Sequence, residues 1–181
     1  MPNTLRHLLI AACLLAAGVQ GQAAANPADE NAIKAAMVYR LLKFVDWPPG
    51  QLRGGDDFIV CTLGADVFGG LLVGLAGRSV ASRQIRVRST VSVGTSESCD
   101  VLVLSSTGSS DQGHDVAPLA GAPILTISDR SGFADRGGMI EIARSGSRLT
   151  LRINRRVLEQ AGLTVSSQVL ALATIVGDGA Q

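Results

Sequence analysis

The chain has 181 residues, of which 16 are basic and 15 are acidic, and its formal net charge is +1. Such a balance supplies no electrostatic drive toward nucleic acid or anionic lipid, so neither is expected as a partner. Residues 26–181 are enough to build one hydrophobic core and too few for two, which predicts a single domain.

The N-terminus has the order of a secretory signal peptide. Arg6 precedes an unbroken apolar run of 12 residues, Leu8 to Val19, and small residues follow it. This run is too short to span a bilayer, which takes about 20 residues. We expect cleavage before Asn26, which removes residues 1–25. The alternative is cleavage before Ala24. The mature domain would then lie in the periplasm, without inserting into the membrane.

The three cysteines agree with export. Cys13 ends a loose match to a lipoprotein signal, an alternative weakened by the few apolar residues before it. The mature chain keeps Cys61 and Cys99, and the simplest interpretation in an oxidising compartment is one disulfide. Two free thiols or a regulatory thiol switch remain open. A metal site is not expected, because His114 is the single histidine of the mature chain.

The first half of the mature chain alternates between helical and strand patterns. Apolar spacing predicts a helix from Ile33 to Val45, ended by the Pro-Pro-Gly that follows Trp47. A buried strand is expected over Phe58–Leu63 and a half-exposed strand over Gln84–Thr90. Between them, the spacing predicts a short helix over Val67–Leu75.

The second half predicts four further strands and three helices. In chain order the expected elements are a strand at Asp100–Leu104, a loop at Ser105–Gly113, a short helix at Val116–Leu119, a strand at Pro123–Ile127, a hairpin of Met139–Ala143 with Leu149–Ile153, a helix capped by Asn154 and ending at Gln160, and a helix from Ser166 to Ile175. The fold class is therefore α/β, a three-layer single domain with a mixed, about six-stranded sheet flanked by helices.

Motifs for catalysis or cofactor binding are lacking. His114 lies at the edge of a serine-rich loop, where a general base would have no fixed position. The segment Gly94–Ser98 lacks the second glycine of a nucleophile elbow. The segment Gly64–Gly70 matches neither the dinucleotide-binding nor the P-loop pattern. We therefore expect no enzymatic activity, no catalytic residue and no cofactor.

Several short segments, taken together in order and spacing, resemble the YfiR family of periplasmic regulators over nearly the whole mature chain. The segments that carry this resemblance are Lys34–Tyr39, Phe44–Pro48, Cys99–Leu102, Leu125–Asp129, Phe133, Gly137–Ile140, Ile153–Asn154, Ala161–Leu163 and Ser166–Leu170. Two departures are modest: Met37 stands where such proteins often have a larger aromatic residue, and there is one cysteine pair where some relatives have two.

The resemblance implies a soluble periplasmic homodimer that binds the periplasmic region of a membrane diguanylate cyclase. By holding the cyclase inactive, such a protein lowers cyclic-di-GMP signalling, which controls biofilm formation. An outer-membrane lipoprotein can act as its antagonist. Similar domains also occur fused to sensor kinases, so a kinase is an alternative partner.

Four residues are candidates for partner binding. Trp47 could anchor a partner, as large aromatic residues often do, or it could cover the core at the end of the first helix. Phe133 stands in a polar segment, where it would be either an exposed partner contact or a lid over the core. Arg130 and Arg136 flank Phe133 and would contribute charge to the same surface.

A ligand site is the alternative function, with the protein as a periplasmic small-molecule receptor that reports to a sensor kinase. Thr164, Ser166 and Ser167 lie at the start of the last predicted helix, whose free N–H groups attract anions. Arg152 or Arg53 would complete the pocket. Helix capping alone is the simpler explanation for the serines.

Overall fold

The computed structural model describes residues 26–52, 55–64, 67–105 and 115–177. The sequence predictions for the signal peptide, Cys13, Arg53, His114 and most of the serine-rich loop lie outside these residues. In the described part of the chain, no helix combines the length and the apolar character needed to cross a membrane.

The first helix, α1 (Pro27–Leu42), begins six residues before the predicted start. The side chain of Asn26 accepts a hydrogen bond from the Ala28 N–H at 3.1 Å, and a proline occupies the first turn. Asp29 and Glu30 then place negative charge where the helix dipole is positive. These polar signals extend the helix beyond its apolar stripe, which is why hydrophobic spacing alone placed the start too late.

The strands of the described residues are β1 (Val45–Asp46), β2 (Asp57–Leu63), β3 (Ser79–Val80), β4 (Arg83–Thr90), β5 (Val101–Leu104), β6 (Leu125–Ser128), β7 (Ile140–Ser145), β8 (Arg148–Asn154), β9 (Thr164–Val165) and β10 (Ala173–Val176). Most of them form one mixed sheet of eight, with the order β10-β8-β7-β6-β5-β2-β4-β3. Strands β1 and β9 form a separate two-stranded ribbon.

Within the eight-stranded sheet, neighbouring strands pair in parallel, except for β3 with β4 and the hairpin of β7 with β8. The β1–β9 ribbon is antiparallel. The predicted mixed α/β sheet is confirmed, and it is wider than the six strands expected. The hairpin turn is Gly146–Ser147, two residues shorter than predicted, because β7 and β8 continue their pairing to Ser145 and Arg148.

The central strands are buried on both faces, which makes the domain three layers thick. In β2, Phe58 and Val60 point into one apolar cluster, whereas Ile59 and Cys61 point into the other. The larger cluster contains Leu41, Leu42 and other residues of α1, so we call this side of the sheet the α1 face. The opposite side, which includes Leu102, Leu119 and Phe133, is called the disulfide face.

The segment Val67–Leu75 is a 3-10 helix interrupted by three consecutive residues with left-handed backbone torsions. Phe68 is one of them, with φ 52°, and its ring is buried in the core of the α1 face. A regular helix, as predicted from spacing, would not accommodate this break. Two shorter 3-10 helices cover Val93–Thr95 and Ala117–Leu119.

The C-terminal segment differs most from expectation. Helix α2 (Arg155–Gln160) is capped by the side chain of Asn154 as predicted. Helix α3, however, covers only Ser167–Leu170. The segment that was predicted to continue this helix forms β10, which pairs in parallel with β8. The prediction was wrong because Thr174, Ile175 and Val176 favour strands, and β8 offers them an open edge.

The predicted disulfide is present. Cys61 in β2 and Cys99, just before β5, are joined with a Cα–Cα distance of 5.9 Å. Both half-cystines are buried on the disulfide face. The bond therefore ties the middle of β2 to the entry of the adjacent β5.

Removing this bond should lower the free energy of unfolding by about 3–4 kcal/mol, because it closes a loop with a sequence separation of 38 in the unfolded chain. Urea unfolding of the Cys61→Ala/Cys99→Ala variant measures the difference. Wild type with added dithiothreitol should resemble the variant, whereas dithiothreitol should not affect the variant itself. An unchanged unfolding midpoint in both experiments would contradict the structural role.

Candidate functional site

Four of the seven predicted binding residues lie on or against one loop. Residues 129–139, here called the crossover loop, join the adjacent parallel strands β6 and β7. The loop carries Arg130, Phe133 and Arg136, and the guanidinium of Arg152 reaches it from β8. The structure thus brings together residues that are 22 positions apart in sequence.

Phe133 is the internal anchor of the crossover loop. Its ring is only 3% exposed and belongs to the apolar cluster of the disulfide face. Of the two interpretations of this residue, the lid over the core describes its position, and its ring is not a surface contact in this chain. A Cβ atom added to Gly138 would lie 2.2–2.5 Å from atoms of the ring. Glycine at this position is therefore a packing requirement of Phe133.

Gly137, the other glycine of the pair, serves a different purpose. Its φ is +94°, a torsion that side chains rarely adopt, and nothing lies within 4 Å of where its Cβ would be. The first glycine of the pair thus turns the backbone, and the second makes room for the aromatic ring.

A buried carboxylate holds the main chain of the loop. Glu141 of β7 is 2% exposed and accepts hydrogen bonds from the N–H groups of Gly132 and Ala134, both at 3.1 Å. Arg152, directly opposite on β8, lies 3.4 Å from the same carboxylate. These partners compensate the cost of burying its charge.

Arg152 also fastens the outer side of the loop. Its guanidinium donates two hydrogen bonds to the carboxylate of Asp135, at 2.8 and 3.0 Å. The hydrogen bond with Asp135, followed by the charge of Glu141, raises the pKa of Arg152 above its ordinary value. The side chain is therefore a permanent cation that bridges the sheet and the loop.

Asn154 completes the attachment from the end of β8. It is buried, and its amide donates to the carbonyl of Ala134 at 2.8 Å while its side-chain oxygen caps α2. One residue therefore fixes both the crossover loop and the start of α2. The capping role was predictable from sequence, whereas the contact with the loop was not.

The first residue of the loop is held from the opposite side of the sheet. Lys34 of α1 contacts the carboxylate of Asp129 at 2.6 Å and that of Glu30 at 2.9 Å. Its ammonium also lies 5.7 Å from the centre of the Phe68 ring. Glu30 in turn pairs with Arg144 of β7. This ionic cluster connects α1 with the loop and with β7.

With its interior fixed in this way, the loop carries two arginines that are not buried in the core. Arg136 is exposed and donates a hydrogen bond to the carbonyl of Ser131 at 3.0 Å. Arg130 is half-buried, and its backbone N–H donates to the hydroxyl of Ser128 at 3.2 Å. Both predicted arginines therefore lie on the crossover loop, and we call the part of the loop that carries Arg130 and Arg136 the arginine surface.

Trp47 is not part of this surface. Its ring packs edge-on against Phe58, with the ring centres 5.1 Å apart, in the core of the α1 face. Phe133 packs on the disulfide face. Trp47 and Phe133, paired by sequence reasoning as partner contacts, therefore point into opposite faces of the sheet. The indole N–H of Trp47 is buried and has no partner among the described residues.

The residues of the predicted ligand site are not assembled either. Thr164 lies beside a hollow of about 120 Å³ that is also bordered by Arg155 and Leu163, but not by Arg152 or Ser166. Arg152 is engaged with Asp135 and Glu141 instead. Ser166 makes no capping hydrogen bond, and its buried hydroxyl has no partner in the described structure. Ser166 therefore occupies the N-cap position of α3, as the capping explanation expects, but its hydroxyl does not cap the helix.

Sequence reasoning missed the buried polar residues that support the loop. These are Lys34, Asp129 and Glu141. The contact of Asn154 with Ala134 was missed as well, although its capping role was predicted. One signal was available, since Glu141 stands between Ile140 and Ile142 at a position whose neighbours are apolar. A charge in such an alternating strand requires a partner, but the sequence does not identify that partner.

Comparison with known proteins agrees with this architecture. The family described as YfiR/HmsC-like matches residues 31–174, most of the chain. The chain belongs to the YfiR/HmsC-like family. Members of this family are periplasmic regulators. No curated protein matches the chain.

Two solved structures share the fold of this YfiR/HmsC-like domain. A conserved domain protein of Vibrio cholerae O1 biovar El Tor is 14% identical, with a TM-score of 0.55 over 79% of this chain and 60% of that one. The ABC domain of Streptococcus pneumonia in complex with L-Trp is 12% identical, with a TM-score of 0.51 over 70% and 57%. The chain therefore spans less than two thirds of either structure, and at these identities the likeness concerns the fold alone.

The Gly138→Ala substitution should destabilise the domain by about 1–3 kcal/mol, because the new methyl group overlaps Phe133 in a packed core. Thermal unfolding of the variant gives the value. Gly94→Ala is the matched control, since a Cβ there meets nothing within 4 Å and the backbone torsion is ordinary. Equal stability of the two variants would show that the ring moves aside without cost.

Breaking the ion pair between Lys34 and Asp129 should lower stability by more than the Gly138→Ala substitution does. Lys34→Met leaves the carboxylate of Asp129 buried without its cation, which should lower stability by about 3–5 kcal/mol. The double variant Lys34→Met/Asp129→Leu should recover most of that loss, because neither charge is then stranded. A double variant as unstable as the sum of the two single variants would contradict the pairing. Urea unfolding of Lys34→Met, Asp129→Leu and the double variant measures the three changes in stability.

Proposed function

We propose that this protein represses a membrane diguanylate cyclase by binding its periplasmic region, and so lowers cyclic-di-GMP signalling. Membership of the YfiR/HmsC-like family supports this function. The structural observation that carries it is the arginine surface on the crossover loop, whose backbone is fixed by Glu141, Arg152 and Asn154. A surface that is ordered before binding loses less entropy on association.

The chemistry of the site favours binding over catalysis. Its charged side chains are engaged with one another: Lys34 with Asp129 and Glu30, and Arg152 with Asp135 and Glu141. These contacts fix the positions of secondary structure elements. The exposed Arg136 suits a carboxylate-bearing protein surface, since a guanidinium binds carboxylates through paired hydrogen bonds.

The proposal includes an exported chain that acts as a periplasmic homodimer. Export rests on the signal-peptide pattern of residues 1–25 and on the disulfide of Cys61 and Cys99, which persists in an oxidising compartment. An outer-membrane lipoprotein would relieve repression by binding the same protein. A sensor kinase is the alternative target of the same surface.

A small-molecule receptor is the less favoured function. The hollow beside Thr164 measures about 120 Å³ and another, bordered by Met139 and Val157, about 200 Å³. Ligand pockets typically measure about 300–1,000 Å³. These two hollows are small for an effector, and a larger groove of about 450 Å³ is bordered by Ala76, Gly77 and residues 84–88, none of which is a predicted ligand residue. We therefore assign the regulatory role to a protein contact.

Reversing the charge of the arginine surface should abolish repression. In a strain lacking the gene, cyclic-di-GMP should be elevated, and the wild-type gene should restore the low level. The Arg130→Glu/Arg136→Glu variant should fail to restore it and should retain a cyclase at least about tenfold less well in copurification, a loss of about 1.4 kcal/mol in binding. Extraction and mass spectrometry of cyclic-di-GMP provide the measurement.

The control is Arg148→Glu, which reverses an exposed arginine of the β7–β8 hairpin that makes no ion pair with the described residues. It should repress like wild type. Melting temperatures of the periplasmic extracts establish that all variants are folded. Normal repression by the double variant, or an unchanged cyclic-di-GMP level in the deletion strain, would refute the proposal.

A further inference from the structure

We infer that the open edge of β4 is a second interaction surface, which binds an acidic segment of a partner protein as an added β-strand. The basis is the juxtaposition of strand backbone that has no pairing partner among the described residues with exposed arginines, at the end of the sheet farthest from the β7–β8 hairpin. This inference does not depend on the repressor function, because it concerns different strands and a different chemical contact.

The edge is open because β3 covers only the beginning of β4. Strand β3 pairs with Arg83 and Gln84, and the backbone of Gly77 and Arg78 then bonds both the N–H and the carbonyl of Ile85. On the other side β4 pairs with β2 along seven residues. Alternation along a strand means that the backbone groups of Val87 and Ser89 point outward, as those of Ile85 do.

Space is available beside this edge. A surface groove of about 450 Å³ is bordered by Ala76, Gly77 and residues 84–88. A Cβ atom at Gly77 would meet nothing within 4 Å, so the wall opposite the strand is made by small residues. A strand laid along β4 would therefore meet backbone hydrogen-bonding groups without a steric barrier from this wall.

The exposed side chains define the charge of the occupant. Arg86 and Arg88 project from the same face of β4, since they are two residues apart, and both are exposed. Arg86 pairs with Asp57 yet keeps 63% of its side chain exposed, and Arg88 has no partner among the described residues. Val87 is half-buried on the opposite face. The complementary strand would alternate acidic residues with β-branched ones.

A second copy of this chain fits the edge poorly. Antiparallel pairing about a two-fold axis at Val87 would place Arg86 of each copy opposite Arg88 of the other. An axis at Arg88 would place the two Arg88 side chains opposite one another. Like charges directly across a strand pair are destabilising. Arg86 and Arg88 repel the same residues of a second copy and attract an acidic strand. The charge of this edge therefore favours a different protein over a second copy of the chain.

The test uses the full exported chain and a synthetic blocked heptapeptide of sequence Thr-Val-Glu-Val-Glu-Val-Thr. Titration calorimetry should detect binding to wild type, and isotope-edited infrared spectroscopy should show the peptide as a paired strand. Arg88→Glu should weaken binding at least tenfold, whereas Arg148→Glu, in a strand at the other side of the sheet, should leave it unchanged.

Backbone recognition is tested separately from charge. The same peptide with its three central amides N-methylated keeps its charge but loses the donors of both edges, and it should bind at least tenfold more weakly. Val87→Pro should have a similar effect by removing an outward N–H from the protein, since proline is tolerated on edge strands. If that variant fails to fold, the methylated peptide still decides the question.

Three results would overturn the inference. Equal binding of the methylated peptide, or of unstructured polyglutamate with the same charge, would show attraction of anions without strand pairing. Undetectable binding of the heptapeptide at millimolar concentration would mean that the arginines merely protect the edge. A dimer of wild type that dissociates in Val87→Pro, seen by sedimentation, would identify a second copy as the occupant.

Discussion

The position of the crossover loop depends on one buried carboxylate. Glu141 accepts hydrogen bonds from the N–H groups of Gly132 and Ala134 and attracts Arg152 across the β7–β8 pair. Without such a partner the turn between two adjacent parallel strands would leave buried amides unsatisfied, at about 1–3 kcal/mol each. Adjacent parallel strands are usually connected through a helix. Here the connection is a short loop, and the hydrogen bonds of the Glu141 carboxylate hold that loop over the sheet.

This polar support compensates for an uneven distribution of apolar residues. In the part of the chain that the structure describes, the buried cluster of the α1 face contains 25 residues and that of the disulfide face 11. On the smaller side, the disulfide of Cys61 and Cys99 holds β2 against β5, and Glu141, Asn154 and the ring of Phe133 hold the loop over β6 and β7. Covalent and polar contacts therefore stabilise the face on which hydrophobic burial contributes least.

Features set by neighbouring residues could be predicted from sequence, and features set by distant pairing could not. The cap of α2 by Asn154 follows from a local pattern, and the β2 and β5 strands from continuous apolar runs. By contrast, Ser166–Ile175 has apolar spacing that suits a helix, and only the free edge of β8 turns its second half into β10. The polar segment around Phe133 gave no sign that its ring is buried, because the space for the ring exists only where Gly138 has no side chain. Likewise, nothing near Lys34 in sequence identifies Asp129 as its partner.

The arginine surface and the β4 edge are physically separate, and this has consequences for regulation. Strand β7 is followed by β6, β5, β2 and then β4, and four steps of about 4.8 Å place the two surfaces about 19 Å apart across the sheet. A single strand laid along β4 runs parallel to its neighbours and does not approach the crossover loop. Substitutions at the two places should therefore act additively unless one partner bridges them. A domain with two independent protein-binding surfaces could engage its target at one while an acidic partner occupies the other, and nonadditive binding would then report coupling between them.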